Sequence, residues 1–290
     1  MNIAILSRGE ALYSTKSIFK AGASRNHNME ILDPSYFRLS IENGKAVTHY
    51  QGERIDTLDA IIPRIGASNT VYGGNVVRHF ESKGIFTVAS SEGIVNSRNK
   101  WICFQVLAQH QIPIPKTIFG SYFGFEEQLD SFLGKPVIIK LLEGTHGEGV
   151  ILSENPKNAL ATIETLNAAG VSFLLQEFIE EANGADIRAI VVDGVVVAAM
   201  KRQCKSGDFR SNLHRGGSSE KISLSTEEEK IAIRAAKAMK LGFCGVDILQ
   251  SKSGPLILEI NSTPGLEGIE STSGTSVSKS LIGFIERNKK

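Results

Sequence analysis

The first third of the chain alternates short apolar runs with longer amphipathic stretches. The apolar runs predict strands at 2–6, 29–32, 60–62 and 86–89, and the amphipathic stretches predict helices at about 12–25 and 71–82. Strands that alternate with helices indicate a parallel sheet. Two further runs, 37–41 and 46–50, flank Asn43-Gly44, a dipeptide that is typical of a tight hairpin turn. This part of the chain is therefore predicted to be an α/β unit with a parallel sheet and one hairpin.

The rest of the chain has more strands, several of them joined in hairpins. Strands are predicted at 136–142, 150–152, 173–179, 187–192 and 195–200, and helices at 100–110, 125–132, 156–168, 226–239 and 277–286. The turn Asp193-Gly194 joins the last two of these strands. Thr226, with Glu229 three residues later, fits a capping box at the start of a helix. A second unit, which contains these hairpins, is predicted to begin near Ser97.

The composition excludes several classes of protein. The chain is 41% hydrophobic and 22% charged, as in ordinary globular proteins, and its net charge of +1 gives no overall attraction to nucleic acid or membrane. No apolar segment approaches the length of a membrane span, and the N-terminal run is too short for a signal peptide. Three scattered cysteines, Cys103, Cys204 and Cys244, have no metal-binding spacing and favour a reducing cytoplasm. The glycine pattern of dinucleotide-binding folds is missing after the first strand, which argues against a dehydrogenase.

A last predicted hairpin, formed by 245–249 and 256–261, carries an acidic cluster. If the pairing centres near residue 253, Asp247 lies opposite Glu259, and Asn261 points to the same side as Glu259. Two opposed carboxylates repel each other, and burial among apolar neighbours increases that cost. A divalent cation removes the repulsion, and three oxygen ligands suit Mg²⁺ or Mn²⁺. The alternative is a pair of edge-strand acids that face water.

A glycine-rich loop follows the strand that ends near Lys140. Three glycines within 143–149 would let the backbone approach phosphates closely, although a tight hairpin turn explains them as well. The loop is not a Walker motif, because a strand follows it. Lys140 can neutralise phosphate charge beside such a loop, whereas a lysine on a buried strand ordinarily extends its amine to solvent. His146 in the loop is interpreted as a bystander.

Two further segments could contact a nucleotide. Glu177 and Phe178 end a long strand, where backbone groups could bind an adenine edge and the ring could supply apolar contact; Phe178 could equally belong to the core. The segment 201–217 has five Lys or Arg residues and one His against one Asp. Its cations suit a transferring phosphate and an anionic substrate, and a solvated surface is the alternative. Nucleic-acid binding is a weaker use, because aromatic stacking partners are nearly absent.

The order of these features is more specific than any one of them. A lysine strand, a glycine loop, an acid-ended strand, a basic loop and an Asp…Glu-x-Asn hairpin follow one another. Further motifs are 2–8, Pro63-Arg64-Ile65-Gly66, Asp-Phe-Arg-Ser-Asn-Leu-His-Arg-Gly-Gly at 208–217 and Pro-Gly-Leu-Glu-Gly-Ile-Glu at 264–270. With these motifs, nearly the whole chain resembles the RimK-type α-L-glutamate ligases of the ATP-grasp superfamily.

The resemblance implies an α/β fold in which a parallel pre-ATP-grasp domain, 1–96, precedes a two-lobed ATP-grasp domain with antiparallel sheets, 97–290. Its central lobe would span about 97–180 and its C-terminal lobe about 181–290. The residues that would contact ATP are Lys140, Glu177, Phe178, Asp186, Arg210, Ser211 and Asn212, with Lys100 matching a lysine that reaches a phosphate. Asp247, Glu259 and Asn261 would hold two Mg²⁺ or Mn²⁺ ions, with Glu259 bridging them.

The activity implied is an ATP-dependent ligation of L-glutamate to the C-terminal carboxylate of a small-subunit ribosomal protein, through an acyl phosphate. Arg210 would neutralise the transferring phosphoryl group, and Arg202, Lys205 and Arg215 would be available for substrate carboxylates. Synthesis of poly-glutamate, or ligation of another amino acid to a small acceptor, is the alternative within the same chemistry. A non-catalytic nucleotide-binding regulator would require damaged ligand residues, and the sequence has none. The resemblance implies no direct contact with nucleic acid or membrane, and the choice between a monomer and a homo-oligomer stays open.

Overall fold

The computed structural model describes residues 1–120, 124–132, 134–142, 149–205, 209, 211 and 216–289. Within these ranges, none of the helices is both long enough and apolar enough to cross a membrane. The three cysteines are free thiols, and Cys103 and Cys244 are buried.

The N-terminal part is built on a parallel sheet, as the alternation of strands and helices predicted. Its elements are β1 (Asn2–Leu6), α1 (Tyr13–Ala23), β2 (Asn28–Leu32), β3 (Phe37–Glu42), β4 (Lys45–Tyr50), β5 (Glu53–Arg54), β6 (Ala60–Pro63), α2 (Thr70–Ser82), β7 (Phe86–Thr87) and α3 (Ser91–Arg98). The strand order is β2-β1-β6-β7, with every pair parallel. Strands β3, β4 and β5 form the predicted hairpin sheet beside it. We call the parallel sheet β2-β1-β6-β7 the N-terminal sheet.

The central part has an antiparallel sheet. Its elements are α4 (Lys100–Gln109), β8 (Thr117–Ile118), α5 (Phe125–Asp130), β9 (Val137–Leu141), β10 (Val150–Ser153), α6 (Pro156–Ala168) and β11 (Phe173–Glu177). The strand order is β10-β9-β11-β8, and we call this the central sheet. Helices α5 and α6 cover one face with a separate apolar core that includes Phe125, Ile139 and Ile163. This core shares no residue with the cores of the other sheets.

The C-terminal part has the largest sheet. Its elements are β12 (Ala185–Val192), β13 (Val195–Gln203), β14 (Ser218–Lys221), α7 (Thr226–Ala238), β15 (Phe243–Ser251), β16 (Gly254–Asn261), α8 (Glu267–Ser273) and α9 (Val277–Asn288). The strand order is β14-β13-β12-β15-β16, with every pair antiparallel, and we call this the C-terminal sheet.

The N-terminal and C-terminal sheets share two apolar cores. On β1, Ala4 and Leu6 belong to one core, and Ile3 and Ile5 to the other, because successive side chains of a strand point to opposite faces. Both cores also contain side chains of β12. The two sheets are therefore joined by continuous apolar packing on both sides of β1 and β12.

Five of these elements and one cap differ from the sequence prediction. Helices α3 and α8 and the strands β5, β8 and β14 lie in stretches that the pattern left without regular structure. The capping box of α7 is formed by Ser225 and Glu228, not by Thr226 and Glu229. The prediction was wrong by one residue because both Ser225 and Thr226 are capping residue types followed three positions later by glutamate, and only the first has the extended backbone of an N-cap.

Candidate active site

A cavity of about 1020 Å³ lies where the three sheets meet. Its walls include Lys140 from the central sheet, Asp247 and Glu259 from the C-terminal sheet, and Ser7 and Arg64 at the end of the N-terminal sheet. A cavity of this size is large enough for a nucleotide together with a small substrate.

The predicted acidic hairpin forms the floor of this cavity. Ser251 pairs with Gly254 across the turn, and Asp247 pairs with Glu259, as the assumed register required. If the pairing continued regularly from Ser251 and Gly254, Asp247 would lie opposite Leu258 and not opposite Glu259. A β-bulge between Asp247 and Ile248 shifts the register by one residue and brings the two acids onto one face.

Asp247 is buried and is held by two arginines. Arg188, directly opposite on β12, donates from Nε and Nη2 to its two carboxylate oxygens at 2.6 and 2.5 Å. Arg202 Nη2 lies 3.0 Å from Asp247 Oδ2. Burial alone would raise the pKa of Asp247, but the two guanidinium groups hold it below its ordinary value. The carboxylate is therefore ionised in the cavity.

Arg202 is shared between two acids. It is buried, and its guanidinium also makes a two-point pair with Asp186, which lies opposite it on β12. Burial would lower the pKa of Arg202, but Asp247 and Asp186 together raise it above its ordinary value. Arg202, which was predicted to be available for substrate carboxylates, is thus already paired with two carboxylates of the protein. Asp186, which was predicted to contact ATP, faces the same cavity.

Glu259 and Asn261 complete the predicted ligand set. One end of the Asn261 amide lies 3.5 Å from Asp247 Oδ2, and the other end lies 3.3 Å from Glu259 Oε1. In the part of the chain that the structure describes, no three His, Cys, Asp or Glu residues form a metal cluster. The set here is two carboxylates and an amide, all of them oxygen donors of the kind that Mg²⁺ and Mn²⁺ prefer.

Two lysines approach the cavity from the central part. Lys140 is buried on β9 and donates from Nζ to Gln176 Oε1 at 2.5 Å. Burial lowers its pKa to about 8, with Glu259 opposing that shift and Lys100 adding to it. Lys100, the first residue of α4, donates from Nζ to the carbonyl of Leu142 at 3.4 Å. The Lys140 amine is therefore turned inward, and does not extend to solvent.

Glu177 and Phe178 line the same cavity. The Glu177 side chain accepts from the backbone N–H of Lys116 at 2.8 Å, and its own N–H donates to the carbonyl of Lys116 at 2.9 Å. The Glu177 backbone donor proposed for an adenine edge is thus already used within the sheet. Phe178 is only half-buried, so its ring is a cavity wall rather than part of a closed core.

The remaining predicted residues lie in or beside the basic loop and the glycine loop. Ser211 is buried and lines the cavity, as does Phe209. Arg210 and Asn212, and also His146 with residues 143–148, lie outside the described residues. The predicted strands on either side of the glycine loop, β9 and β10, pair in an antiparallel manner, which agrees with the hairpin alternative for this segment.

Three arginines of the cavity were missed by the sequence analysis: Arg188, Arg64 and Arg98. The available signal for Arg188 was a charge in an otherwise apolar strand, and its partner Asp247 was not evident because β12 and β15 are far apart in sequence. Arg64 follows β6 within a motif that the analysis used only as a mark of resemblance. Arg98 ends α3, a helix that was not predicted.

Comparison with known families covers almost the whole chain. The model of the RimK PreATP-grasp domain matches residues 1–94, and that of the RimK-like ATP-grasp domain matches residues 97–285. A protein of Halorhodospira halophila named probable alpha-L-glutamate ligase is 48% identical over 291 residues, which cover 100% of this chain and 96% of that protein. A protein of the same name from Vibrio parahaemolyticus is also 48% identical, and the match covers 100% of this chain and 97% of that protein.

A solved structure shares the architecture. The ATP-grasp ligase PsnB, in complex with a phosphomimetic variant of its minimal precursor, Mg and ADP, superposes with a TM-score of 0.76 over 100% of this chain and 98% of that chain. The two sequences are 18% identical, so this likeness concerns the fold. The mixed α/β architecture with one parallel and several antiparallel sheets is thereby confirmed as that of the ATP-grasp ligases.

Proposed function

Because the chain belongs to the RimK-like ATP-grasp family and is an ATP-dependent carboxylate–amine ligase, we propose that it ligates L-glutamate to the C-terminal carboxylate of a small-subunit ribosomal protein. The observation that carries this proposal is one cavity that contains a buried lysine, Lys140, on one wall and the Asp247–Glu259–Asn261 set on another. The names of the relatives from Halorhodospira halophila and Vibrio parahaemolyticus support glutamate as the substrate.

The nucleotide is proposed to lie between the central and C-terminal sheets. Phe178 would contact the base, Lys140 and Lys100 would neutralise phosphate charge, and Ser211 would contact the nucleotide from the basic loop. Glu177, Asp186, Arg210 and Asn212 complete the proposed set. We propose the division into domains at 1–96 and 97–290, with lobes of about 97–180 and 181–290, and the ranges of the two family models support it.

The acidic hairpin fits a divalent cation. Asp247, Glu259 and Asn261 would hold two Mg²⁺ or Mn²⁺ ions, because the three offer hard oxygen donors on one face of two neighbouring strands. PsnB, whose fold is similar, was solved with Mg and ADP. Bound there, the ions would supply positive charge against the phosphate oxygens of ATP.

In this proposal, Arg188 and Arg202 bind substrate anions in addition to pairing with Asp247. Their guanidinium groups pair with Asp247 in the cavity, and incoming carboxylates or phosphates would compete for them. Binding of substrates would therefore exchange the ion-pair partners of Arg188 and Arg202 and would leave neither of these two arginines unpaired. This exchange keeps the cost of burying an anionic substrate low.

The chemistry proposed has two steps. A carboxylate oxygen of the acceptor attacks the γ-phosphorus of ATP, so that an acyl phosphate forms and ADP leaves. The amine of glutamate then attacks the acyl carbon, a peptide bond forms and phosphate is released. The leaving phosphate is the proposed acceptor of the amine proton, since we assign no side chain of the described residues as the base.

A labelling experiment tests the proposal. The protein is incubated with ATP, Mg²⁺, labelled glutamate and purified small-subunit ribosomal proteins, and the labelled product is separated by electrophoresis. We expect label on one ribosomal protein, with one ADP released for each glutamate added. Label in free glutamate chains when the ribosomal proteins are omitted would instead indicate poly-glutamate synthesis. Absence of glutamate-dependent ADP release would refute the ligation of glutamate itself.

A further inference from the structure

The N-terminal sheet ends at the cavity in a way that favours ligand binding. Strands β1 and β6 are parallel neighbours, and from them the chain moves outward in opposite directions, to β2 on one side and to β7 on the other. In open α/β sheets, ligands bind outside the carboxyl ends of two such strands. Ser7 follows β1 and Arg64 follows β6, and both line the cavity.

Two arginines meet at this crevice. Arg64 Nη2 donates to the carbonyl of Pro264 at 2.8 Å, and Arg98 Nη2 donates to the carbonyl of Ile65 at 2.5 Å. Their other donors are differently placed: Arg64 Nη1 and Arg98 Nε are buried and have no hydrogen-bond partner among the described residues. Each side chain is thus anchored by one hydrogen bond to the backbone, while a second buried donor has none.

The charge of this pair is not balanced. Within the described ranges, neither Arg64 nor Arg98 makes an ion pair with a carboxylate. Burial lowers the pKa of Arg64 to about 10, and the neighbouring Arg98 adds to that shift. Burial also lowers the pKa of Arg98, against the opposing charge of Glu259. A buried charge without a counter-ion is costly, so an anion that entered here would relieve both guanidinium groups.

The rim of the crevice is polar and adds a third cation. Arg8 Nη2 donates to Ser68 Oγ at 2.7 Å, and Ser68 lines the cavity beside Arg64. Thr263 Oγ1 donates to the carbonyl of Ile65 at 3.1 Å, which joins the segment that carries Ile65, the acceptor for Arg98, to the segment that carries Pro264, the acceptor for Arg64. Planar guanidinium groups with adjacent hydroxyls match the geometry and charge of a carboxylate.

We propose that Arg64 and Arg98 bind the carboxylates of the free amino acid that supplies the amine. This inference rests on the proposed ligation of glutamate and names the residues that select its second substrate. The carboxylates of this amino acid do not react, so they keep their charge and need cations throughout the reaction. The acceptor carboxylate, in contrast, becomes phosphorylated and must lie beside the γ-phosphate and the acidic hairpin. The buried donors also suit a small molecule that can be fully enclosed.

The test compares the Michaelis constants of three variants. We expect Arg64→Gln and Arg98→Gln to raise KM for glutamate on the order of 10- to 100-fold, because each loses a charge-assisted hydrogen bond. KM for ATP should stay within about twofold of the wild-type value by the same reasoning, since the proposed phosphate cations are Lys140 and Lys100. Arg234→Gln is the matched control: its Nη2 also donates to backbone carbonyls, of His110 and Gln111, but it lies outside the cavity.

A binding measurement separates recognition from turnover. Glutamate, and glutarate as a dicarboxylate without the amine, should raise the thermal unfolding midpoint of the wild-type protein and of Arg234→Gln, but not that of Arg64→Gln. If Arg64→Gln does not fold, Arg64→Lys replaces it in the test. This variant keeps one positive charge, so its KM for glutamate should rise less than that of Arg98→Gln.

The outcomes distinguish this inference from the function on which it rests. A wild-type protein without glutamate-dependent ADP release would refute the proposed function and, with it, this inference. A wild-type protein that uses glutamate, with variants that keep its KM, would refute the inference alone. A rise in KM for the protein acceptor, with no change for glutamate, would assign the arginines to the acceptor and would also overturn it.

Discussion

Two pairs of arginines face the same cavity, and their surroundings differ. Arg188 and Arg202 lie on the C-terminal sheet and share the carboxylates of Asp186 and Asp247. Arg64 and Arg98 lie at the end of the N-terminal sheet and pair only with backbone carbonyls among the described residues. The first pair is balanced by the protein itself, and the second requires a charge from outside. The C-terminal sheet thus supplies counter-ions for its own arginines before any substrate binds, whereas the N-terminal sheet leaves two guanidinium groups without one among the described residues.

The difference follows from how each pair is positioned. On the C-terminal sheet, adjacent strands set Arg202 opposite Asp186 and Arg188 opposite Asp247, so ladder pairing alone joins the charges. At the N-terminal sheet, Arg64 follows a strand and Arg98 ends a helix, so neither has a partner set by strand pairing, and within the described part of the chain neither makes an ion pair. The balanced pair therefore forms with the sheet, whereas the unbalanced pair forms only where two elements converge.

The largest expected effect is a loss of catalytic rate, caused by replacing either of two acids of the C-terminal sheet, Glu259 and Asp247. Glu259→Gln should lower the rate of ADP release about 1000-fold or more, because metal ions supply several kcal/mol of charge stabilisation during phosphoryl transfer. Asp247→Asn should do the same, and in addition should leave Arg188 without its two-point partner. The rate is measured as ADP released at saturating ATP and Mg²⁺.

Glu267→Gln is the control, because Glu267 lines the same cavity but is exposed and belongs to no proposed ligand set. If Glu259→Gln released ADP at the wild-type rate, the assignment of Glu259 as a metal ligand would be refuted.

The next effect is on stability, and it tests the two pairs against each other. Asp186→Asn removes one partner of a buried ion pair, and we expect the free energy of unfolding to fall by about 3 kcal/mol. Arg64→Gln removes an unbalanced buried charge, and we expect a change within about 1 kcal/mol, since the lost hydrogen bond and the relieved charge offset each other. Both are measured by urea unfolding at neutral pH.

The matched control for Asp186 is Asp193→Asn, because Asp193 pairs with Arg287 on the surface. Removing an exposed pair should cost less than about 1 kcal/mol. Equal losses from Asp186→Asn and Arg64→Gln would contradict the distinction between a balanced and an unbalanced pair.

The smallest effect concerns Lys140, a buried cation in addition to the four arginines, which donates to an amide and not to a carboxylate. Its lowered pKa of about 8 means that the amine is charged below pH 8 and neutral above it. Affinity for ATP should therefore fall by about tenfold between pH 7 and pH 9, as the charged fraction falls. The affinity is measured by equilibrium titration with a non-hydrolysable ATP analogue.

Lys140→Arg provides the comparison, since an arginine stays charged over this range. Its ATP affinity should change little with pH, even if its absolute value is lower. A wild-type affinity that is also independent of pH would show that Lys140 does not bind the phosphates through its charge.

Much of the fold was accessible from the sequence because local patterns specify it. The helix at Pro156–Ala168 was predicted with its observed bounds, since a proline at the start and one apolar stripe define it. The hairpin of β3 and β4 was evident from Asn43-Gly44. Helix α3 was missed because it is short and its buried face includes Ser91 and Gly93, which give no apolar stripe. The cap of α7 was misplaced by one residue because its two candidates are adjacent.

The sequence by itself determined which chemical groups the site contains and in what order they come, because each lies in a local motif with its own strand, turn or loop. It named Lys140, Asp247, Glu259 and Asn261, which the structure brings to one cavity. Only the tertiary structure decided how their charges are balanced. The bulge beside Asp247 sets the two acids face to face, and the order of strands brings Arg188 to the first of them. The meeting of Arg64 with Arg98 likewise depends on packing between distant elements, which local sequence patterns do not specify.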